Sequence, residues 1–274
     1  MFPELIRIGD WPLRSFGVLY TIAFTAGFLW TLHRSERYGI SLSRICTATF
    51  LVMLSFALGC RIYFVLCHWQ EYRDDWAQAF AFMQRGSAQY GGVFLSIFAL
   101  VLYARLRRMS CADLAATFAP PVFLTMAISR VGCFANGCCF GLPTSSCLGV
   151  HYPEGSHAFR AGNELLSAET GGQVGHLATA NAPAMHPSQL YASVGALVCL
   201  GVLLWIERRG SRSINLAGLS LVLLGALRFT VDRFRYYEES ATLLGLPINT
   251  WLSLILVLGG MVVLWRGKAT SRSA

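Results

Sequence analysis

The sequence predicts an all-α membrane protein with about seven transmembrane helices, organised as one polytopic unit over residues 1–274. Hydrophobic residues form 55% of the chain and charged residues 13%, whereas a soluble domain has about 25% charged residues. The apolar residues also occur in long blocks without the amphipathic pattern of a surface helix. The N-terminal residues mix acids with arginines and precede no small-residue cleavage site, so no cleavable signal peptide is predicted.

Seven apolar runs approach the ~20 residues that a helix needs to cross a bilayer. The third, fourth and sixth runs are short, so their helices are expected to extend into flanking polar residues. Pro120 and Pro121 predict a kink or a break in the fourth helix, which neighbouring helices would have to stabilise. The runs cover residues 16–32, 45–67, 91–104, 112–128, 189–206, 214–229 and 247–265.

The basic residues predict the orientation of these spans. Arginines cluster after the first, third, fifth and seventh runs, and the other loops hold most of the acids. Arg34, for example, is expected in the loop after the first run. The positive-inside rule therefore predicts an external N-terminus and a cytoplasmic C-terminus, and it explains the net charge of +8 without nucleic-acid binding. The longest loop, residues 142–185, is then expected outside, as a small head domain or a flexible cover.

Three arginines lie at membrane depth rather than in these loops. Arg61 is inside the second run, Arg130 ends the fourth, and Arg228 ends the sixth. An ionisable group at this depth costs at least ~2.5–3.5 kcal/mol on insertion scales, so it normally faces a cavity or a partner. The alternative is that each arginine reaches the interface from a helix end. Three arginines in one leaflet favour a positively lined pocket for a phospholipid phosphate.

The stretch LRFTVDRFR follows the sixth run and adds charges to this group. Arg228, Asp232 and Arg235 are spaced i, i+4 and i+7, which predicts one helix face. Asp232 would orient either arginine and reduce its charge cost. The alternative is an ordinary surface ion pair.

Two further motifs open the third and fifth runs. QYGGVF, residues 89–94, offers the Tyr90 hydroxyl and two glycines, Gly91 and Gly92, that allow close approach of a ligand or of another helix. MHPSQLY, residues 185–191, places His186, Gln189 and Tyr191 on the predicted outer face. His186 is a candidate proton acceptor or a structural residue.

Four cysteines cluster on the predicted outer side. They are Cys133, Cys138, Cys139 and Cys147. An external compartment allows disulfides, so a disulfide involving Cys147 is one alternative. A C-x₄-C-C spacing without a matching second half predicts no metal site, and no cofactor is expected. Redox use of the adjacent Cys138 and Cys139 is the least favoured reading, because adjacent cysteines form strained disulfides.

Together these motifs resemble one family in order and spacing. YGG, RVGCFANGCCFG, HPSQLY and LRFTVDRFR, with GCRIYFVLCHW in the second run, are similar to prolipoprotein diacylglyceryl transferases over nearly the whole chain. The resemblance implies a seven-helix protein of the bacterial inner membrane with a periplasmic head. It implies transfer of a diacylglyceryl group from phosphatidylglycerol to the lipobox cysteine of a prolipoprotein, with release of glycerol-1-phosphate.

The resemblance also implies roles for particular residues. Arg130 and Asn136 would hold the lipid headgroup, and Arg228 would stabilise the leaving phosphate or assist activation of the thiol. Gly137 and Gly141 would shape the loop after the fourth span.

Five positions depart from the family pattern. Tyr90 stands in place of a histidine, Cys133 of an asparagine, Cys138 of a glutamate, Asp232 of a glutamate and Phe16 of a tyrosine. A tyrosine with an ordinary pKa of about 10 is a poor base at neutral pH, so His186 or Arg228 would take over from the histidine. Two alternatives stay open: the same donor with another acceptor, and phospholipid binding without catalysis.

Overall fold

The computed structural model describes residues 4–8, 11–73, 89–154, 156–169, 183–237 and 242–272. Seven of its helices are long and apolar enough to cross a membrane, which confirms the predicted class. The three short runs do extend into flanking polar residues, as expected. The helices are α1 Ser15–Arg37, α2 Leu42–Cys67, the short α3 Trp69–Tyr72, α4 Gln89–Leu106, α5 Cys111–Asn136, α6 His157–Glu169, α7 Ser188–Arg208, α8 Ser213–Asp232 and α9 Ile248–Arg272.

Two small antiparallel hairpins accompany the helices. Strands β1 (Glu4–Ile8) and β2 (Trp11–Arg14) lead directly into α1, and β3 (Thr242–Leu243) and β4 (Leu246–Pro247) precede α9. The second hairpin turns through Leu244 and Gly245, whose φ angles of 53° and 76° fit a tight two-residue turn.

Helix α5 is the central helix of the bundle. It packs against α1, α4, α7 and α8, and it is the most buried of the seven long helices. Its small residues alternate with Phe123 and Met126, which pack with Leu203 of α7 and Leu216 of α8. The polar residues near both ends of α5 are therefore held inside the bundle.

The paired prolines do not break α5, which is continuous from Cys111 to Asn136. Pro120 and Pro121 have no N–H, so the carbonyls of Ala116 and Thr117 lose their helical partners. Arg34 supplies the missing donors, with its Nη2 2.9 Å from the Ala116 oxygen and its Nε 3.2 Å from the Thr117 oxygen. The expectation of Arg34 in a loop was wrong, because these two carbonyls hold it inside the bundle.

The ends of α5 and α8 lie beyond the apolar runs. Arg130 and Arg228 are therefore inside the last two turns of their helices and do not end them. Helix α5 stops at Gly137, which has a left-handed φ of 70°. Its N–H bonds to the Phe134 carbonyl, while the Cys138 N–H bonds to the Cys133 carbonyl at 3.1 Å. This double closure is the Schellman motif, which favours glycine.

The described part of residues 142–185 has a packed core of its own. Met185 forms isolated β-bridges with Pro143 and with Val150, and helix α6 packs against these paired segments. Ala158 and Ala161 of α6 pack there with Phe140, Tyr152 and Met185. That residues 142–185 as a whole form a small head stays a prediction.

Candidate functional site

Polar residues from five helices meet at one end of the bundle, called the site end below. Helices α1, α4, α7 and α9 begin at this end, and α2, α5 and α8 finish there. Arg61, Arg130 and Arg228 are all buried, with 4%, 7% and 6% of their surface exposed. Arginines that merely reached the interface would be exposed, so burial favours the pocket over that alternative.

Arg228 and Asp232 form a buried ion pair on the last turn of α8. The Nη2 of Arg228 lies 2.9 Å from the Asp232 Oδ1, and both side chains are less than a tenth exposed. Tyr237 donates to the same carboxylate oxygen at 2.8 Å and accepts from Arg228 at 3.4 Å. Burial raises the pKa of Tyr237, so its hydroxyl stays protonated and serves as a donor.

Tyr90 joins this pair from the first turn of α4. Its hydroxyl donates to the Asp232 Oδ2 at 3.0 Å and lies 2.6 Å from the Ser253 hydroxyl on α9. The Arg228 guanidinium lies over the Tyr90 ring, 5.2 Å from its centroid. The residue at the family's histidine position thus contacts the predicted phosphate arginine and its carboxylate partner.

Arg130 and Arg61 approach the same region from α5 and α2. The Nη2 of Arg130 donates to the Gln89 Oε1, next to Tyr90 in the chain. The Arg61 guanidinium lies 5.4 Å from the centre of the Tyr72 ring, so an aromatic face covers part of its charge. Neither contact neutralises a positive charge.

Arg235 is not on the helix face predicted for it. Helix α8 ends at Asp232, and Arg235 forms a β-bridge with Gly141 instead. The bridge holds the chain after α8 against the loop after α5, and the Arg235 guanidinium lies 4.9 Å from the Tyr237 ring centre. The buried Nε of Arg235 has no hydrogen-bond partner among the described residues. Because buried N–H donors normally have a hydrogen-bond partner, this one is consistent with a bound anion that accepts its hydrogen bond.

Gly141 lies where three segments cross. A side chain there would clash with the Phe234 carbonyl and with His186, whose carbonyl accepts from the Gly141 N–H at 2.9 Å. The His186 ring contacts Tyr191 and Phe234, with its Nδ1 3.1 Å from the Tyr191 hydroxyl. Within the described residues, no hydrogen bond or ring contact joins His186 to Tyr90, Arg130 or Arg228.

Gln189 is buried and holds the loop after α5. Its Nε2 donates to the Cys138 carbonyl at 2.7 Å, and its amide exchanges hydrogen bonds with the Tyr152 hydroxyl. Burial raises the pKa of Tyr152 to about 12, which keeps that hydroxyl a donor at neutral pH. The neighbouring Ser188 donates to the Cys139 carbonyl at 2.8 Å. Contact of Gln189 with a substrate stays a prediction.

Gly91 and Gly92 bring α4 into close contact with α2. A side chain at Gly91 would meet the Gly59 carbonyl, and one at Gly92 would meet Cys60 and the Phe56 carbonyl. These contacts favour the helix-packing alternative for both glycines. The close contact between the two helices positions Tyr90 and does not create space for a ligand.

The cysteines after Arg130 form a compact group. The sulfur atoms of Cys133, Cys138 and Cys139 all lie within 4.8 Å of one another. All cysteines are free thiols, so the disulfide considered for Cys147 is not formed. The sequence predicts no metal site here, because its spacing does not reveal that the turn at Gly137 returns the chain to the helix end.

Several residues of the site were missed by the sequence reasoning. Ser253 lies in an apolar run, Gln89 opens the QYGGVF motif without a role predicted for it, and Tyr237 follows LRFTVDRFR by two residues. Tyr20, whose hydroxyl is 3.6 Å from the Cys133 sulfur, lies one turn after Phe16 on α1. Proximity to YGG and to LRFTVDRFR was the available signal for Gln89 and Tyr237, and no local signal marks Ser253.

Comparisons with known proteins identify the family of the chain. The family model for prolipoprotein diacylglyceryl transferase matches residues 3–266. A phosphatidylglycerol–prolipoprotein diacylglyceryl transferase of Cupriavidus pinatubonensis is 29% identical, covering 99% of this chain and 93% of the relative. One of Idiomarina loihiensis is 26% identical, covering 97% and 93%. One of Clostridium perfringens, numbered 2 in its name, is 22% identical, covering 91% and 89%. Because the family model spans almost the entire chain, the protein belongs to the prolipoprotein diacylglyceryl transferase family.

Proposed function

We propose that this protein transfers the diacylglyceryl group of phosphatidylglycerol to the lipobox cysteine of a prolipoprotein and releases glycerol-1-phosphate. The names of the relatives support both substrates and the transferase reaction. The seven apolar helices and the bacterial relatives support a multi-pass membrane protein. We infer that it lies in the cytoplasmic membrane, with the site end facing the periplasm by the positive-inside rule.

One observation carries the proposal for this site: among the described residues, the arginines held in the site outnumber the carboxylate that pairs with them. Arg130 and Arg228 are buried and Arg235 is half-buried, and in this part of the chain Asp232 balances one of their three guanidinium groups. An excess of buried positive charge is costly unless an anion accompanies it. The phosphate of an anionic phospholipid supplies that anion, and it accepts the hydrogen bonds that guanidinium groups donate.

The reaction is a displacement at carbon. The acceptor sulfur forms a bond to the glyceryl carbon that carries the phosphate, and the carbon–oxygen bond breaks with its electrons on the phosphate. Charge therefore grows on the leaving phosphate, where preorganised donors stabilise the transition state. We assign this task to Arg228, which Asp232 and Tyr237 hold in position.

The remaining residues have supporting roles in the proposal. Arg130 and Asn136 hold the headgroup, with Arg61 and Arg235 adding positive charge at its margin. Tyr90 orients Asp232 and Arg228 through its hydroxyl and ring. Gly137 and Gly141 would shape the substrate path together with the motif residues Gln189 and Tyr191. Gly91 and Gly92 would position Tyr90 through the close contact of α4 with α2. His186 stays a candidate for the proton acceptor, although its ring contacts lie on Tyr191 and Phe234.

Transfer with purified protein tests the proposal. Vesicles of phosphatidylglycerol labelled in the diacylglyceryl group are mixed with a lipobox peptide, and with the same peptide carrying serine for cysteine. We expect a labelled thioether on the cysteine peptide alone, with one glycerol phosphate released per transfer. Glycerol phosphate without labelled peptide would indicate another acceptor, and no reaction with bound lipid would indicate a binding protein.

Variants then locate the site. Arg228→Ala should lower turnover by about 10²–10³-fold, the typical loss when one donor to a developing anion is removed. Arg233→Ala is the matched control, because Arg233 is exposed and stacks on Phe229 outside the network. Growth of a strain depleted of its own family enzyme, with the wild type but not Arg228→Ala, gives the same test in cells.

A further inference from the structure

The thiol group of Cys133, Cys138 and Cys139 lies beside the arginine site. Cys133 is 2% exposed on the last turns of α5, and Cys138 and Cys139 are half-buried just after the helix. The Cys138 sulfur also lies 3.6 Å from the Cys133 carbonyl oxygen. Three sulfur atoms within 4.8 Å of one another are close to the spacing of about 3.8 Å that tetrahedral Zn²⁺ with Zn–S bonds of about 2.3 Å requires.

The backbone holds the three sulfurs together without a metal. Gly137 and Cys139 both have left-handed φ angles, of 70° and 60°, so the chain folds back over the end of α5. Such a conformation is uncommon for a residue other than glycine. The Ser188 and Gln189 side chains fix the carbonyls of Cys139 and Cys138 from α7. The group is therefore held by two helices and a capped turn.

Two positive charges act on the thiol group, from Arg130 on α5 and from Arg235 after α8. A metal ion would take the place of the thiol protons, since a coordinating thiol is deprotonated outright. Three thiolates and a divalent ion carry one net negative charge, which Arg130 and Arg235 would face.

We propose that Cys133, Cys138 and Cys139 bind one thiophilic d¹⁰ metal ion, of the Zn²⁺ class, and that the acceptor thiol occupies its fourth position. Three protein ligands plus a substrate is the arrangement of catalytic zinc sites, whereas structural sites have four protein ligands. The proposal of metal binding is argued from the three sulfur atoms alone. The proposal that the acceptor thiol occupies the fourth position rests on the function proposed above.

The metal site would supply a means of deprotonating the acceptor thiol, which the network around Tyr90 lacks. Tyr90 donates to Asp232, and Asp232 is occupied by Arg228 and Tyr237, so none of these groups is free to take a proton from a thiol. A thiol bound at the fourth position loses its proton and remains a nucleophile as its thiolate. Its sulfur lone pair then forms the bond to the glyceryl carbon, and the carbon–oxygen electrons leave with the phosphate. The departing glycerol phosphate takes up the thiol proton, which balances the reaction.

Metal binding is tested first, with no need for turnover. The full chain is purified in detergent under reducing conditions, freed of metal and titrated with Zn²⁺, or with Co²⁺ for its visible and sulfur charge-transfer absorption. We expect one ion per chain and the Co²⁺ spectrum of a tetrahedral thiolate site. Cys133→Ser and Cys139→Ser should lose both, and Cys147→Ser should keep both, because Cys147 is exposed outside the group. Equal binding by all of these variants, or no binding by the reduced wild type, overturns the site.

The role of the fourth position is tested with the Co²⁺ protein and a lipobox peptide. The cysteine peptide should shift the charge-transfer band and the serine peptide should not. Turnover should fall at least tenfold on metal removal and return with Zn²⁺. Unchanged turnover in the metal-free protein overturns this part. A band shift without any transfer supports the metal site and contradicts the proposed function, so the two failures are distinguishable.

Discussion

Asp232 is the residue on which the polar network at the site end depends. Its two oxygens accept from Arg228, Tyr237 and Tyr90, which come from α8, the segment after it and α4. A carboxylate that pairs with a buried arginine also determines where that arginine lies. The shape of the proposed phosphate site therefore depends on one charged acceptor.

Removal of this charge should weaken both the fold and the reaction. Asp232→Asn leaves the buried Arg228 without a counter-charge, which typically costs about 3–5 kcal/mol. We expect a lower unfolding temperature in detergent and a loss of transfer. Asp232→Glu keeps the charge and should recover most of both. Unfolding of the asparagine variant at the wild-type temperature would show that Arg228 does not depend on this pair.

Tyr90 allows a test of which proton acceptor the protein uses. Tyr90→His introduces a group with an ordinary pKa of about 6.5 beside Asp232 and Arg228. Only neutral imidazole accepts a proton, so kcat/KM of this variant should rise with pH through its histidine pKa. Tyr90→Phe should keep the pH profile of the wild type, because neither residue supplies an imidazole at position 90. An identical pH profile for the histidine variant and the wild type would place position 90 outside proton transfer.

At the scale of elements, apolar length predicted the seven helices but not their ends. The end of α5 is determined by Gly137 and that of α8 by the bridge from Arg235 to Gly141, a pairing between segments almost a hundred residues apart. Periodicity therefore placed Arg228 and Asp232 together correctly and Arg235 wrongly. The same limit explains the cysteines, whose convergence depends on a left-handed turn that spacing alone does not reveal.

The opposite end of α5 shows how the bundle tolerates two prolines. Arg34 donates to the two carbonyls that Pro120 and Pro121 leave without partners, and Glu207 of α7 accepts from both Nη atoms of Arg34 at 2.8 Å. Arg34 and Glu207 are 6% and 4% exposed in their side chains. One buried ion pair thus connects α1, α5 and α7.

This connection predicts a dependence between the arginine and the prolines. Arg34→Met should destabilise the protein by about 3–5 kcal/mol, because Glu207 and two carbonyls lose their partner inside the bundle. Arg37→Met should cost about 0–1 kcal/mol, since Arg37 contacts Glu207 from a side chain that is 58% exposed. Chemical unfolding in detergent measures both.

A double-mutant cycle separates the two parts of this role. With Pro120→Ala and Pro121→Ala in place, the helix supplies its own N–H donors, so Arg34→Met should cost less than it does in the wild type. An equal cost in both backgrounds would mean that Arg34 acts through Glu207 alone.

At the scale of the whole molecule, the two ends of the bundle differ in how they hold charge. At the site end, arginines are buried among aromatic rings and one carboxylate. At the opposite end, exposed arginines lie at or just after the ends of α1, α4 and α7, and Arg266 is exposed near the end of α9. The positive-inside rule retains the arginine-rich end in the cytoplasm. The same orientation places the site end, where we propose that the lipid phosphate binds, on the outer side of the membrane.

Two natural cysteines can test that orientation. Cys147 is exposed in the head at the site end, and Cys111 is exposed where α5 begins at the opposite end. We compare two variants that both carry Cys67→Ser. The first keeps Cys147 and carries Cys111→Ser, and the second keeps Cys111 and carries Cys147→Ser. A membrane-impermeant maleimide should label Cys147 in intact spheroplasts and Cys111 only after the membrane is disrupted, because the positive-inside rule retains the arginine-rich end in the cytoplasm. Labelling of Cys111 in intact spheroplasts would reverse the orientation and place the proposed site, with its acceptor, on the cytoplasmic side.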